Sequence, residues 1–392
     1  MRLAERVAHM TGEGSDGWEI YYRARDLAAG GVAVVNLTIG EHDIRTDPRI
    51  LAAMAESARA GNTGYTVGAG KPELRRAIAE RVSARTGVPT GPENVIVTPG
   101  GQAALFAAHM VTLDPGDTGL YCDPYYATYP GTIRATGARD VAVPTRPENG
   151  FQPEARAIAA RAKGARTLLI NTPNNPTGAV YTRPTLEAVA EVVRDHDLWL
   201  ISDEVYDTQL WSGDHQSPRA LPGMAERTLV VGSLSKSHAM TGSRIGWLIA
   251  PEPVVAAVTA LATNTTYGLP GYIMDAGLAA LSLGPDFEAG VSGPFRRRRD
   301  LALARLGQAN LLRLVPSGGA MYVMVDVRAT GLSGEAFALR LLEHERIAVM
   351  PGESFGQAAS GHIRIALTVA DDLLDDALGR LLAFAESLAT SD

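Results

Sequence analysis

Lysine is scarce in this chain: Lys71, Lys163 and Lys236 stand against 33 arginines. Lys236 closes the run Ser233-Leu234-Ser235-Lys236, just after the apolar stretch Thr228–Gly232, and Arg244 follows eight residues on. A surface ion pair would be served as well by arginine, whereas chemistry that needs a deprotonatable amine would not. Three other stretches carry reactive or ligand-binding groups. Val97-Thr98-Pro99 leads into Gly100, Gly101 and a helix opening at Gln102. Free amides at such a start bind an anion, and the glycines let a phosphate come close; a tight strand-to-helix turn explains the glycines equally well. Asn174-Asn175-Pro176-Thr177-Gly178 is turn chemistry, for which a plain loop suffices. Asp203 ends an apolar strand, where a buried carboxylate needs a partner; a helix N-cap is the alternative.

Each stretch is ambiguous singly, but together they supply what a pyridoxal phosphate (PLP) enzyme needs. Lys236 would hold the aldehyde as a Schiff base, with its pKa lowered by desolvation and nearby cations. Arg244, the hydroxyls of Ser233 and Ser235, and the Gly101 and Gln102 amides beside Gly100 would take the phosphate. Asp203 would pair with the pyridine nitrogen and make the ring an electron sink. A charge pair at ~4 Å and an effective dielectric of ~20 is worth ~4 kcal/mol, or about three pKa units. No metal is expected.

These groups must be positioned by an α/β framework. Short apolar runs (Asn94–Thr98, Thr167–Asn171, Leu198–Asp203, Thr228–Gly232, Ile245–Ala250) alternate with helical periods, and several end in Gly, Pro, Asp or Asn. This predicts a mostly parallel sheet with its ligands outside the carboxyl ends of the strands. After about residue 285 antiparallel strands and helices predict a smaller α+β domain. The expected division is 46–285 for a large cofactor-binding domain, with 1–45 and 286–392 forming an N-terminal arm and the small domain.

At 392 residues two domains are the default. A net charge of −7 argues against nucleic acid and anionic membrane as partners, and the arginines of Phe295–Arg299 are read as a solvated helix face. Cys122, the single cysteine, excludes an internal disulfide and reads as a small core residue. With no signal-like segment and no apolar run near membrane-spanning length, a cytoplasmic protein is expected.

The chain also resembles the fold-type I, class I aminotransferases over nearly its full length. The four stretches carry the resemblance, with Asn36–Asp43, Gly64–Ala79, Asp123–Tyr129 and His362–Leu367. It implies a PLP-dependent transferase fold and a homodimer acting on amino acids and 2-oxo acids. It assigns Tyr126 to stacking on the cofactor, and Asn175 and Tyr206 to its phenolic oxygen. Tyr65 is assigned to the neighbouring subunit's phosphate, and Arg364 with Asn175 and the Gly40 backbone to the substrate carboxylate. Several stretches, among them Ser233–Gly242 and Gly318–Ser333, resemble the arginine–pyruvate transaminases, implying a basic donor and pyruvate as acceptor. Asp16, Trp18, Glu19 and Glu41 are then candidates to meet a guanidinium, Trp18 foremost. One departure is His42, where the class usually has proline; it reads as a solvated loop residue. Two alternatives stay open: a carbon–sulfur β-lyase on the same scaffold, and a non-enzymatic regulator.

Overall fold

The computed structural model describes residues 2–11 and 18–389. In chain order its strands are β1 (Val35–Leu37), β2 (Val95–Thr98), β3 (Thr118–Asp123), β4 (Arg139–Pro144), β5 (Thr167–Asn171), β6 (Trp199–Asp203), β7 (Thr228–Ser233), β8 (Gly246–Ile249), β9 (Arg313–Leu314), β10 (Tyr322–Asp326), β11 (Ile347–Pro351) and β12 (His362–Ala366). Seven form one sheet in the order β2-β8-β7-β6-β5-β3-β4, and five form a second in the order β1-β11-β12-β10-β9.

The seven-stranded sheet is parallel except for β8, which runs antiparallel to both β2 and β7. Its inner strands β3, β5, β7 and β8 are buried at every residue and β6 at every residue but Trp199, which is why they read as unbroken apolar runs and not as alternating ones. The helices that cover them are patterned at 3.6 residues. In Arg183–Asp195, Leu186, Val189, Ala190 and Val193 face the core, and the Thr182 hydroxyl caps the start by accepting from the Thr185 N–H. Cys122 lies buried in β3, and burial pushes its thiol up to about 12.

The second sheet is mainly antiparallel, with β1 adding a parallel edge strand against β11. Helices Gly334–Glu345 and Asp371–Ala389 pack on it through Phe337, Leu341, Leu378 and Leu381. The Phe295–Arg299 run departs from the solvated face expected of it. Arg298 is only 4% exposed and holds the Asp43 carboxylate at 3.1 and 2.6 Å, Asp371 at 2.7 Å and the Leu367 carbonyl at 3.1 Å. One arginine in four turns inward because the helix period brings it over the 38–43 loop. No helix among the described residues is long and apolar enough to cross a membrane.

Candidate active site

Because β8 runs backwards, its first residue meets the last residues of its two parallel neighbours. Gly246 pairs with Thr98 and with Ser233, and Asn171 pairs with Asp203. Four sequence stretches far apart in the chain therefore open on one edge of the sheet. A cavity of about 320 Å³ lies there, near the lower end of the usual size for small-molecule sites of ~300–1,000 Å³.

Lys236 reaches this cavity from a single helical turn, Leu234–Ser237, that follows β7 directly. The Ser233 hydroxyl accepts from the Ser235 N–H at 3.0 Å and bonds the Ile245 carbonyl at 3.1 Å, which ties the turn to β8. The Lys236 ammonium bonds the Gly40 carbonyl. Burial lowers its pKa, and the Arg364 and Arg244 cations push the same way against Tyr322 and Glu41. At its other end, the Lys236 carbonyl lies 2.9 Å from His42 Nε2. His42 is thus no solvated loop residue: its ring packs edge-on to Phe295 at 5.2 Å, and burial first, then the Lys236 charge, lowers it to about 4.

Asp203 is buried at the end of β6, where burial raises its carboxyl to about 6. The Tyr129 hydroxyl donates to Oδ2 at 2.7 Å and the Val205 N–H to Oδ1 at 3.3 Å, both opposing that rise. Residues 205–208 are turns, so Asp203 caps no helix. Opposite it, the helix Gly101–Thr112 begins with N–H groups that lack intrahelical acceptors. Gly100 precedes it at φ +81°, and a Cβ there would meet Arg244 Nη2 at 2.4 Å. Arg244 curls over the turn, with Nη1 2.8 Å from the Thr241 carbonyl.

Arg364 comes from β12 and is 1% exposed. Its Cζ lies 4.4 Å from the ring centroids of both Tyr322 and Phe355, a double cation–π stack. Nη1 donates to Asn175 Oδ1 at 2.8 Å and Nη2 bonds the Thr38 carbonyl. Asn175 is held in turn by its N–H to Asn171 Oδ1 at 2.7 Å, so the Asn-Asn-Pro-Thr-Gly loop is built against the β5 end.

Trp18, Gly40, Gly101, Gln102, Tyr126, Asn175, Asp203, Tyr206, Ser233, Ser235, Lys236, Arg244 and Arg364 all line this one cavity, as does Glu41. Gly100 stands just behind it. Tyr65 does not reach it: the side chain is 92% exposed, edge-on to Tyr267 at 5.1 Å on a separate face. Glu19 is exposed on the helix Glu19–Ala29, and Asp16 lies outside the described residues. Two of the lining tyrosines were not singled out from sequence. Tyr129 follows Tyr126 by three residues across a turn, its N–H donating to the Tyr126 carbonyl at 2.9 Å, a spacing that could have flagged it. Tyr322, whose hydroxyl is 3.1 Å from that of Tyr206, is diagonal to Arg364 across the β10–β12 pairing, and no local signal marks it.

The cavity makes two opposite demands. Asp203 is a buried carboxylate in need of a cation, while Arg244, the Ser233 and Ser235 hydroxyls and the open helix start need an anion. A molecule with a basic ring nitrogen at one end and a phosphate at the other meets both, so the residues fit PLP.

Comparison with known proteins agrees. The sequence profile of the family "Aminotransferase class I and II" matches residues 32–381. The chain is 43% identical to the arginine–pyruvate transaminase AruH of Pseudomonas aeruginosa, over 99% of each chain. It is 40% identical to the aspartate/prephenate aminotransferase of Thermus thermophilus, over 91% of this chain and 92% of that one. A structure of Thermus thermophilus aspartate aminotransferase with maleate superposes with a TM-score of 0.92 at 37% identity, covering 98% of this chain and all of the other.

Proposed function

The chain belongs to the class I and II aminotransferase family and is a PLP-dependent aminotransferase, and on that premise we propose that it moves the amino group of a basic amino acid, arginine first, to pyruvate. When bound, PLP supplies an aldehyde for the donor amine and a cationic ring that accepts the electron pair left as the α-proton departs. Lys236 does the proton work. Burial and neighbouring cations disfavour its ammonium, so its Nζ is available to take the proton from the donor Cα and to return it at C4′ of the cofactor. Asp203 would pair with the ring nitrogen and keep it protonated, Tyr126 would stack on the ring, and Asn175 and Tyr206 would bond its phenolic oxygen. Arg244, Ser233, Ser235 and the amides of Gly101 and Gln102 would hold the phosphate beside Gly100. Arg364, with Asn175 and the Gly40 backbone, grips the α-carboxylate that donor and acceptor share.

One observation carries this assignment of roles: an amine biased toward its neutral form, a carboxylate with a raised pKa and a stacked guanidinium all open on the same cavity. The basic donor is supported by the identity to AruH and by Trp18 and Glu41 on the cavity wall. An aromatic face and a carboxylate offset the desolvation of an incoming guanidinium. The test is a donor panel with pyruvate, comparing kcat/KM for arginine, lysine, aspartate, alanine and the aromatic acids. Arginine is expected to lead; aspartate or an aromatic donor ahead by more than about tenfold, ~1.4 kcal/mol of barrier, refutes the basic donor and leaves the transferase intact.

The proposal extends to a cytoplasmic homodimer built from a large domain, 46–285, with the arm 1–45 and the small domain 286–392. The seven-stranded sheet lies wholly within 95–249, while the second sheet draws its strands from 35–37 and 313–366, which supports the division. The exposed pair Tyr65 and Tyr267 supports a subunit contact, through which Tyr65 would reach the partner's phosphate. Sedimentation of the holoenzyme, and weaker PLP binding in Tyr65→Phe, test it.

A further inference from the structure

Asp123 ends β3 at the cavity edge of the large sheet, yet its side chain is spent on the other sheet's connections. Its carboxylate, 5% exposed, accepts the Gln357 N–H at 3.1 Å and the Ala358 N–H at 3.2 Å to both oxygens. Two residues on, the Tyr125 N–H donates to the Phe355 carbonyl at 2.9 Å. Gly356, at φ +112°, lies flat between these anchors: a Cβ there would come 2.1 Å from Asp123 Oδ1 and 2.7 Å from Tyr125 Cε1. Phe355 is therefore held at its carbonyl and through the three residues after it by the Asp123–Tyr125 stretch, and its ring is one of the two that sandwich the Arg364 guanidinium.

The sandwich matters because Arg364 has few other restraints. Nη1 and Nη2 have protein acceptors, while Nε is buried with none. Confinement between the Tyr322 and Phe355 rings, each with its centroid 4.4 Å from Cζ, restricts the plane of the fork, and the plane decides whether a carboxylate can be met by two parallel N–H groups. Tyr322 is held by its strand. Phe355 sits in a short 3₁₀ segment, Gly352–Phe355, outside any sheet; its ring is buried in the apolar core, Glu353 anchors the segment by accepting from the Gly334 and Gly361 N–H groups at 3.0 Å, and Asp123 and Tyr125 hold the backbone that follows.

We propose that Asp123 is a positioning residue for substrate binding: through residues 355–358 it holds Phe355 against Arg364 and so presets the guanidinium plane for the substrate carboxylate. This rests on the assignment of Arg364 to that carboxylate. It also gives the Asp123–Tyr129 stretch a second duty. The same few residues that carry Tyr126 to the cofactor would align the carboxylate fork, coupling the two halves of the site.

The test uses the PLP-loaded enzyme and unreactive straight-chain carboxylates, propanoate to hexanoate, titrated by calorimetry alongside steady-state kinetics. Asp123→Ala is expected to weaken carboxylate binding and raise KM for both donor and pyruvate by about five- to thirtyfold, the effect of 1–2 kcal/mol. The visible spectrum of the bound cofactor should stay unchanged and kcat should move less than KM. Asp123→Asn, which keeps one acceptor, should recover part of the affinity. Gly356→Ala, which keeps Asp123 but drives a Cβ into its carboxylate and so displaces the same segment, should reproduce the loss and serves if Asp123→Ala does not fold. Unchanged carboxylate affinity in Asp123→Ala and Gly356→Ala, with affinity lost in Arg364→Ala, overturns the proposal alone. If Arg364→Ala also binds carboxylates normally, the assignment of Arg364 itself is wrong.

Discussion

Asp203→Asn should make the cofactor-free protein more stable while making the enzyme worse. The carboxyl of Asp203 rises from an ordinary 3.8 to about 6 because it is buried. The folded chain thus binds this proton more tightly than the unfolded chain, and stability falls as the pH rises from about 4 to about 6. Above that window the ionised carboxylate is a standing cost of about two pKa units, or ~3 kcal/mol. An amide removes the charge but accepts less well from Tyr129 and Val205, a loss of ~1 kcal/mol. The net gain near pH 8 is ~2 kcal/mol. With an unfolding entropy of ~2.1 cal/mol/K per residue over the whole chain, that is a rise in Tm of about 2–3 °C. Calorimetry of the cofactor-free wild type and variant should show this gap near pH 8 and its disappearance near pH 4. In the holoenzyme the order should reverse, because a ring cation beside Asp203 is worth ~4 kcal/mol and the amide forgoes it; PLP affinity and kcat should both fall. An advantage that is independent of pH, or a less stable Asn variant near pH 8, would refute the reasoning that Asp203 is held ionised against its surroundings until the cofactor pairs with it.

Two further outcomes follow from the site. Borohydride reduction of the holoenzyme and peptide mapping should place the pyridoxyl group on Lys236; a label on Lys71 or Lys163 would remove the constellation, and Lys236→Ala should keep some PLP yet lose turnover by several orders of magnitude. Gly246→Ala should weaken PLP binding while leaving Arg364-dependent carboxylate affinity intact, since its Cβ would lie 2.7 Å from the Gly100 carbonyl carbon and the Gly101 nitrogen and push the helix start out of place; equilibrium binding of PLP to the cofactor-free variant reads this directly.

The residues that stand at strand ends were legible in the sequence because strand, turn and chemical group are encoded within a few neighbouring positions. Lys236, Asp203, Asn175 and the Gly100–Gln102 turn fall in this class, as does a mostly parallel sheet followed by a smaller antiparallel one, although β1, β4 and β11 were not read as strands. Even Cys122 follows from its own strand. What the tertiary structure decided is everything that depends on one segment meeting another. The reversed direction of β8 is invisible in an apolar run, yet it brings Arg244 beside Gly100. Arg298 and His42 look like surface residues in their local sequence, and both turn inward because the 38–43 loop is trapped between Arg298 and Lys236. Tyr322 and Phe355 carry no local mark at all, since a side chain's place beside Arg364 is set by cross-strand register and by a loop anchored elsewhere. Local sequence fixes which groups are available and on which element. Only long-range packing fixes their partners, and with them the charge and orientation each group brings to the site.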